Sequence, residues 1–420
     1  MTEEARIILT YNPDLYFAKK ALTVLYSKSK CLLLHDAPET ISMKVGIITF
    51  HPAYNYGAFL QTYALQKTLE KMGYSVEIID YRPYYLLNPY YPLSKPSKYT
   101  HEQKLGIYLG GRILRFWRDM QNINQRRKRE SDFKNAVKNH LILSNIPYNT
   151  YSDLKIAPPE YDYYITGSDQ IWNPGITGGE LDPAYFLDFV TKSGKSAAYA
   201  ASIGKSVLNA GYTTQFRVLI RNIDSITLRE ASSVPFVEKE SGKTVSVTAD
   251  PTLLLSNDEW EGITKAPKHP VKEYLLVYTI NINHSISGFI NRVSRELNLP
   301  VFYIGGGLQK YFPRSSFVSP EEFLWYFKHA SFVITDSFHG TVFSIINRRS
   351  FYTIQPAENI TRVHDLLTSL GIDGRIFSSG DDIGTVQEIQ NYDEVYENIE
   401  KIKALSLSYL SQIQEEKQDN

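Results

Sequence analysis

Lys44-Val45-Gly46-Ile47-Ile48-Thr49-Phe50, followed by the turn His51 to Gly57, the segment Ala58 to Met72 and then Val76-Glu77-Ile78-Ile79-Asp80-Tyr81, decides the fold. The first run is short, apolar and rich in β-branched residues, which is the pattern of a strand buried on both faces. Leu60, Tyr63, Ala64, Leu65 and Leu69 then recur at helical spacing, and Gly73 closes the helix as a carboxyl cap. A strand, helix and strand of this length form a βαβ unit, the opening of a doubly wound parallel sheet. The turn holds a single glycine, Gly57, instead of a GxGxxG fingerprint, so dinucleotide binding is not supported.

Working outward, Asp162 to Gly167, Ser196 to Ser202, Ser225 to Leu228 and Val245 to Asp250 read as further strands of the same sheet. The stretch Lys265 to Pro270 reads as a linker. A second sheet begins at Tyr274 to Thr279 and continues through a helix (Ser287 to Leu297), a strand (Val301 to Ile304), a helix (Pro320 to His329) and a strand (Phe332 to Thr335). The fold class is therefore α/β, with two Rossmann-like parallel-sheet domains. The expected boundaries are 43–264 for the first domain, with a basic helical excursion over 82–150, and 271–390 for the second. A polar helix within 391–420 packs back on the first domain. Residues 1–42 read as an appendage, with Met43 as an alternative start. Gly305-Gly306-Gly307 follows a strand and reads as a flexible turn, or as a place where a ligand phosphate approaches the backbone. Within the excursion, Arg112, Arg115, Arg118, Arg126, Arg127, Lys128 and Arg129 alternate with Leu114 and Trp117. Such a segment is either a solvated helix with an apolar stripe on the core, or a surface for anionic lipid or a lipid-linked anionic acceptor.

Composition narrows the classes. The 420 residues contain 45 Lys+Arg and 45 Asp+Glu, so no net field draws the chain to nucleic acid. Cys31 is the sole cysteine, which excludes an internal disulfide and a thiolate metal cluster. No apolar run approaches the length of a membrane span and no secretory signal opens the chain, which makes the cytoplasm the expected location. The 31 tyrosines suit either a sugar-binding cleft or a tyrosine-rich core.

The polar clusters fall after strands: Asn55-Tyr56-Gly57, Ser168-Asp169-Gln170, Lys205, Arg229-Glu230, and Asp336-Ser337-Phe338-His339-Gly340. In open α/β sheets the carboxyl ends of the strands hold the ligand, and two such edges facing one another make a cleft. Cations, amides and one histidine together suit an anionic substrate and an oxygen nucleophile. There is no HxH or HExxH pair for a metal and no G-x-S-x-G elbow for a serine hydrolase.

Several of these clusters carry a family resemblance. Asn55-Tyr56-Gly57-Ala58-Phe59-Leu60-Gln61-Thr62-Tyr63-Ala64-Leu65-Gln66, Gly167-Ser168-Asp169-Gln170-Ile171-Trp172-Asn173 and Asp336-Ser337-Phe338-His339-Gly340-Thr341 resemble motifs of the polysaccharide pyruvyl transferase family. Leu228-Arg229-Glu230 and Asp250-Pro251-Thr252-Leu253-Leu254-Leu255 fit as well, and the likeness runs in order from about Lys44 to Arg375. The resemblance implies a glycosyltransferase-B-like fold and transfer of a pyruvyl group from phosphoenolpyruvate to a sugar of a bacterial surface polysaccharide. It implies no metal and no organic cofactor. It leaves open a lipid-linked acceptor, with peripheral contact at the inner face of the membrane. His339 is the expected acid or base, or a proton-bearing phosphate partner, with Asp336 positioning it or capping its helix. Arg229, Lys205, Ser337, Gly340 and Arg362 are expected around the donor. Asn55, Tyr56, Gln61, Ser168, Asp169 and Gln170 are expected at the acceptor or cleft. One departure stands out: ketal-forming members resemble Arg-x-His-Gly at the histidine motif, where this chain has Ser337-Phe338-His339-Gly340. The alternatives are a nucleotide-sugar glycosyltransferase of the same architecture and a non-catalytic glycan-binding relative.

Overall fold

Six parallel strands form the first sheet of the computed structural model: β1 (Lys44–Ile48), β2 (Ser75–Ile78), β3 (Tyr163–Thr166), β4 (Lys195–Ala201), β5 (Ser225–Leu228) and β6 (Val245–Val247). Their order is β2-β1-β3-β4-β5-β6, so the connections change direction between β1 and β3. There Ile47 pairs with Ile165 and Ile48 with Thr166. The second sheet holds β7 (Leu275–Tyr278), β8 (Val301–Ile304), β9 (Ser315–Ser316), β10 (Phe332–Thr335), β11 (Phe351–Ile354) and β12 (Ile376–Phe377). Its order, β12-β11-β10-β7-β8-β9, reverses between β7 and β10. Both sheets are thus doubly wound, and ligands in such sheets bind at the reversal. The structure describes residues 43–87, 123–190, 194–279, 282, 284–305, 312–354, 361–378, 381, 384–389 and 391–415. The appendage 1–42, Arg112, Leu114, Arg115, Trp117 and Arg118 of the basic excursion, and Gly306 and Gly307 lie outside these.

Both sheets belong to one unit, Met43–Asn420. Helices from both domains join them. Helix α1 (Tyr56–Lys71) follows β1, with Asn55 accepting from the Ala58 amide as its amino-terminal cap. Helix α2 (Ile123–His140) buries Phe133 and Ala136 against the Tyr56 side of α1. Its charged residues pair along the helix, Lys128 with Asp132 and Lys134 with Glu130. The second sheet adds α3 (Pro320–His329) and α4 (Phe338–Ile346). The Tyr56 ring stacks on Phe323 of α3 with centroids 4.4 Å apart, and its hydroxyl donates to the Val318 carbonyl at 2.9 Å. The last helix, α5 (Asp393–Glu415), begins on the second domain and ends on the first. Tyr396 donates to the Ile346 carbonyl, whereas Ser406 accepts from the Ala249 amide at 2.8 Å and the Leu410 carbonyl accepts from Tyr74. Two parallel-sheet domains bridged by a closing helix make a glycosyltransferase-B-like architecture. No helix among the described residues is long and apolar enough to cross a membrane.

Candidate active site

The turn after β10 is shaped by small polar residues. Thr335 Oγ1 accepts from the Ser337 amide at 3.1 Å and donates to the Tyr278 carbonyl at 2.6 Å, which fixes the strand end. Ser337 then caps α4, its hydroxyl accepting from the Gly340 amide at 3.3 Å. Only glycine fits at 340, because a Cβ there would lie 2.2 Å from Thr335 Oγ1. This packing presents Phe338 and His339 in the first helical turn toward the first sheet. His339 is buried in the seam, where a Cβ on Gly57 of α1 would lie 2.0 Å from its Nδ1.

The first sheet answers with a cluster of buried charge. Arg229, after β5, donates through Nη1 to Asp250 Oδ2 at 2.8 Å and holds Nη2 3.7 Å from Asp169 Oδ1. Asp250 Oδ1 accepts from the Thr252 amide at 3.0 Å and from Thr252 Oγ1 at 2.6 Å, and Ser168 Oγ donates to Oδ2 at 3.3 Å. His339 Nε2 lies 3.4 Å from the same Oδ2, within reach of charge attraction but off the line of a hydrogen bond. Burial alone would push the Asp250 carboxyl up. The His339, Arg229 and Thr252 contacts outweigh it and hold the group well below the usual carboxylate range. Glu230 behaves oppositely: burial raises it despite Arg229 and a 2.7 Å hydrogen bond from Ser202.

A second guanidinium completes the centre. Phe338 lies under Arg229, with Cζ 4.3 Å from the ring centroid, and Arg362 stands 6.0 Å from the same ring. Burial and the like charge of Arg229 push Arg362 down to about 10, so it stays protonated at neutral pH. With its amide oxygen turned toward Arg362, Gln170 accepts from Nη1 at 3.2 Å and Nη2 at 3.1 Å. Arg229 Nε and Nη2 and Arg362 Nε remain buried without a hydrogen-bond partner among the described residues. Unpaired buried donors on two adjacent cations are costly unless an acceptor anion arrives.

The structure thus brings together His339, Arg229, Arg362, Ser168, Asp169, Gln170 and the Ser337–Gly340 turn. Other expected members sit elsewhere, each for a physical reason. Lys205 is exposed and lines an open pocket of about 410 Å³ with Gln170, Asn173, Asn209 and Tyr212. Tyr56 is spent on Phe323 and Val318. Gln61 is fully buried and donates to Thr49 Oγ1 and the Ala58 carbonyl. Asn55 is a helix cap. The Asp250 carboxylate faces His339, and the cap of α4 is Ser337. Asp250 and Glu230 were absent from the expected site residues, although both follow strands of the first sheet as the other site residues do.

With this geometry in view, comparison with known proteins is informative. The sequence model of the polysaccharide pyruvyl transferase family matches residues 55–357. The chain belongs to this family. The match takes in Asn55, Arg229, Asp250 and His339, while Arg362 lies just past its end. No curated protein matches the sequence significantly. Solved structures with a similar course include the S. aureus MnaA–UDP complex, at 13% identity and a TM-score of 0.45, covering 86% of this chain and 88% of that one. The UDP-GlcNAc 2-epimerase of Methanocaldococcus jannaschii has 12% identity and a TM-score of 0.40, covering 86% and 93%. The glycosyltransferase SnogD from Streptomyces nogalater has 15% identity and a TM-score of 0.37, covering 87% and 95%.

Proposed function

We propose that this family member transfers a pyruvyl group from phosphoenolpyruvate to a sugar of a bacterial surface-polysaccharide intermediate, forming a ketal across two hydroxyls. The observation that carries this reading is the Arg229–Arg362 pair. Two guanidiniums from different domains lie beside one phenyl ring, with three of their nitrogens left without a hydrogen-bond partner among the described residues. A donor with a carboxylate and a phosphate supplies two anionic groups for two cations, and arginine forks suit both. Arg362 also provides, from beyond the helix of His339, the cation that Ser337 does not.

The reaction balances without a metal or organic cofactor. The methylene carbon of the enol phosphate takes a proton and becomes a methyl group. One sugar hydroxyl adds to the neighbouring carbon and loses its proton. The second hydroxyl displaces phosphate, which departs with the remaining proton. His339 is positioned as the group that exchanges a proton with the donor, and Asp250 orients its Nε2 side. Because the donor is a cytoplasmic metabolite class, the reaction belongs on the cytoplasmic side of the membrane, with a free or lipid-linked acceptor.

Calorimetric titration of phosphoenolpyruvate into the wild-type protein and Arg362→Gln tests the reading. Removing one charge-assisted contact is expected to weaken binding by about tenfold or more. Equal affinity in the variant, or no saturable heat at millimolar donor with and without sugar acceptors, overturns it.

A further inference from the structure

A second pocket, of about 520 Å³, opens on the same carboxyl edge of the first sheet, beyond the turn that carries Gly57. Its lining includes two buried side chains, His51, following β1, and Asp80, following β2. His51 is 1% exposed, and its Nε2 lies 3.2 Å from Asp80 Oδ1. Arg82 Nε donates to that same oxygen at 2.6 Å. Burial would raise the Asp80 carboxyl, but the bonds from His51 and Arg82 hold it below its usual value, so it accepts and His51 Nε2 carries the hydrogen. The other ring nitrogen, Nδ1, is buried and has no partner among the described residues. In the neutral ring that nitrogen is a lone pair waiting for a donor, which a ligand hydroxyl supplies.

The rim has a different character. Arg82, Lys134 and Lys138 are exposed around the opening. Lys134 is engaged by Glu130 at 2.7 Å, and Lys138, one turn on, stands exposed. Phe133 and Val137 of α2 give one apolar wall. A hydroxyl-seeking histidine, an apolar wall and a cationic rim together fit a sugar that carries a phosphate. The pocket also lies beside the donor centre. Tyr54 lines it, and Gly57, three residues on, abuts His339, a chain distance of at most about 10 Å.

We propose that this pocket is a binding site for a phosphorylated sugar, with Arg82 and Lys138 on the phosphate and His51 Nδ1 accepting from a ring hydroxyl. Its role as the acceptor site rests on the pyruvyl-transfer reading, whereas the binding itself does not. The phosphate is the link to either a nucleotide or a prenyl diphosphate carrier.

The test is a calorimetric titration of the full chain with galactose 1-phosphate, galactose and inorganic phosphate. It compares wild type with Lys138→Ala, Arg82→Ala and His51→Gln, and titrates phosphoenolpyruvate into each in parallel. Galactose 1-phosphate is expected to bind more tightly than galactose or phosphate. Lys138→Ala, on the solvent side of α2 and safe for folding, is expected to weaken it about tenfold and leave phosphoenolpyruvate binding unchanged. Unaltered sugar-phosphate affinity in both Lys138→Ala and Arg82→Ala overturns the site, as does phosphate binding as tightly as the sugar phosphate. Failure of phosphoenolpyruvate to bind wild type, with the sugar phosphate still sensitive to Lys138, removes the donor reading and leaves this site standing. UDP-galactose and farnesyl-diphosphate-linked galactose distinguish the source: the tighter ligand names the carrier, and either result upholds the site.

Discussion

Gly57→Ala and Gly211→Ala are the same substitution at matched positions, and the structure gives them opposite signs. Each glycine is the second residue of its helix, Gly57 in Tyr56–Lys71 and Gly211 in Ala210–Ile220, and each helix has an asparagine at its cap position. Alanine in place of glycine restricts the unfolded chain and favours helix, worth about 0.4–1 kcal/mol where nothing collides. A Cβ at 211 meets nothing within 4 Å, so that gain is realised in full. A Cβ at 57 falls 2.0 Å from His339 Nδ1, and ordinary contact begins near 3.4 Å. The imidazole cannot swing away cheaply, because it is buried with Nε2 against Asp250. Overpacking of this kind costs about 1–3 kcal/mol, which exceeds the helix gain. Gly211→Ala therefore raises the thermal midpoint and Gly57→Ala lowers it. Gly57→Ala also weakens phosphoenolpyruvate binding, since His339 must leave its place or the two domains must part. The readouts are differential scanning fluorimetry and donor titration on the three proteins. A raised midpoint in both variants, with donor affinity intact, refutes the close approach of α1 to His339.

Asp250→Asn removes one partner of a buried pair and leaves Arg229 uncompensated, a loss of about 3–5 kcal/mol in chemical denaturation, of which Asp250→Asn/Arg229→Met recovers part. The pH dependence follows from the same depressed carboxyl. Its contribution is fully present above about pH 4, the unfolded value, and disappears as pH falls further. The acid limb of the wild-type stability profile is accordingly steeper below pH 4 than that of Asp250→Asn. Glu230, raised by burial, contributes with the opposite sign, its share shrinking as pH climbs past the raised value. Tyr56→Phe loses the hydroxyl bond to Val318 and costs about 0.5–1.5 kcal/mol with donor affinity unchanged. A loss of donor binding without a stability change would return Tyr56 to the site.

Strand positions were legible where burial on both faces enforces continuous apolar runs. Lys44–Ile48, Ser225–Leu228, Val301–Ile304 and Phe332–Thr335 each end close to where the apolar, β-branched run stops. The edge of the second sheet was not. Strands β9 and β12 are two residues each, too short to show any period, and exist because neighbouring strands recruit them. Within the site, residues fixed by local turn chemistry were readable: Ser337, His339 and Gly340 follow from one strand-to-helix turn. What sequence hides is which side chain meets which across the seam. Asp336 shares the turn of His339 and reads as its partner, whereas the Asp250 carboxylate that also faces the imidazole comes from the other domain, which no local pattern reveals. Tyr56 and Gln61 lie in a motif that also carries Gly57, and nothing in their order distinguishes a ring stacked on Phe323 from one lining a cleft.

The division of charge between domains explains why the seam and the site are one structure. Arg229, Asp250, Asp169 and Glu230 belong to the first domain, and His339, Phe338 and Arg362 to the second. The Arg229–Asp250 bond lies within one domain and is independent of closure. The approach of His339 to Asp250, of Phe338 to Arg229 and of Arg362 to Gln170 all cross the seam. The Ser232 amide adds a further crossing bond to Asp365 Oδ2 at 2.9 Å. The contact across the seam therefore sets a second guanidinium beside the first, which like-charge repulsion and desolvation oppose. An anion between them reverses the sign of that repulsion and occupies the unpaired N–H groups. A ligand shifts a conformational equilibrium only through its differential affinity for the two states. On the proposed function, a donor with a carboxylate and a phosphate has that difference, because Arg229 and Arg362, one from each domain, share it only when the domains meet.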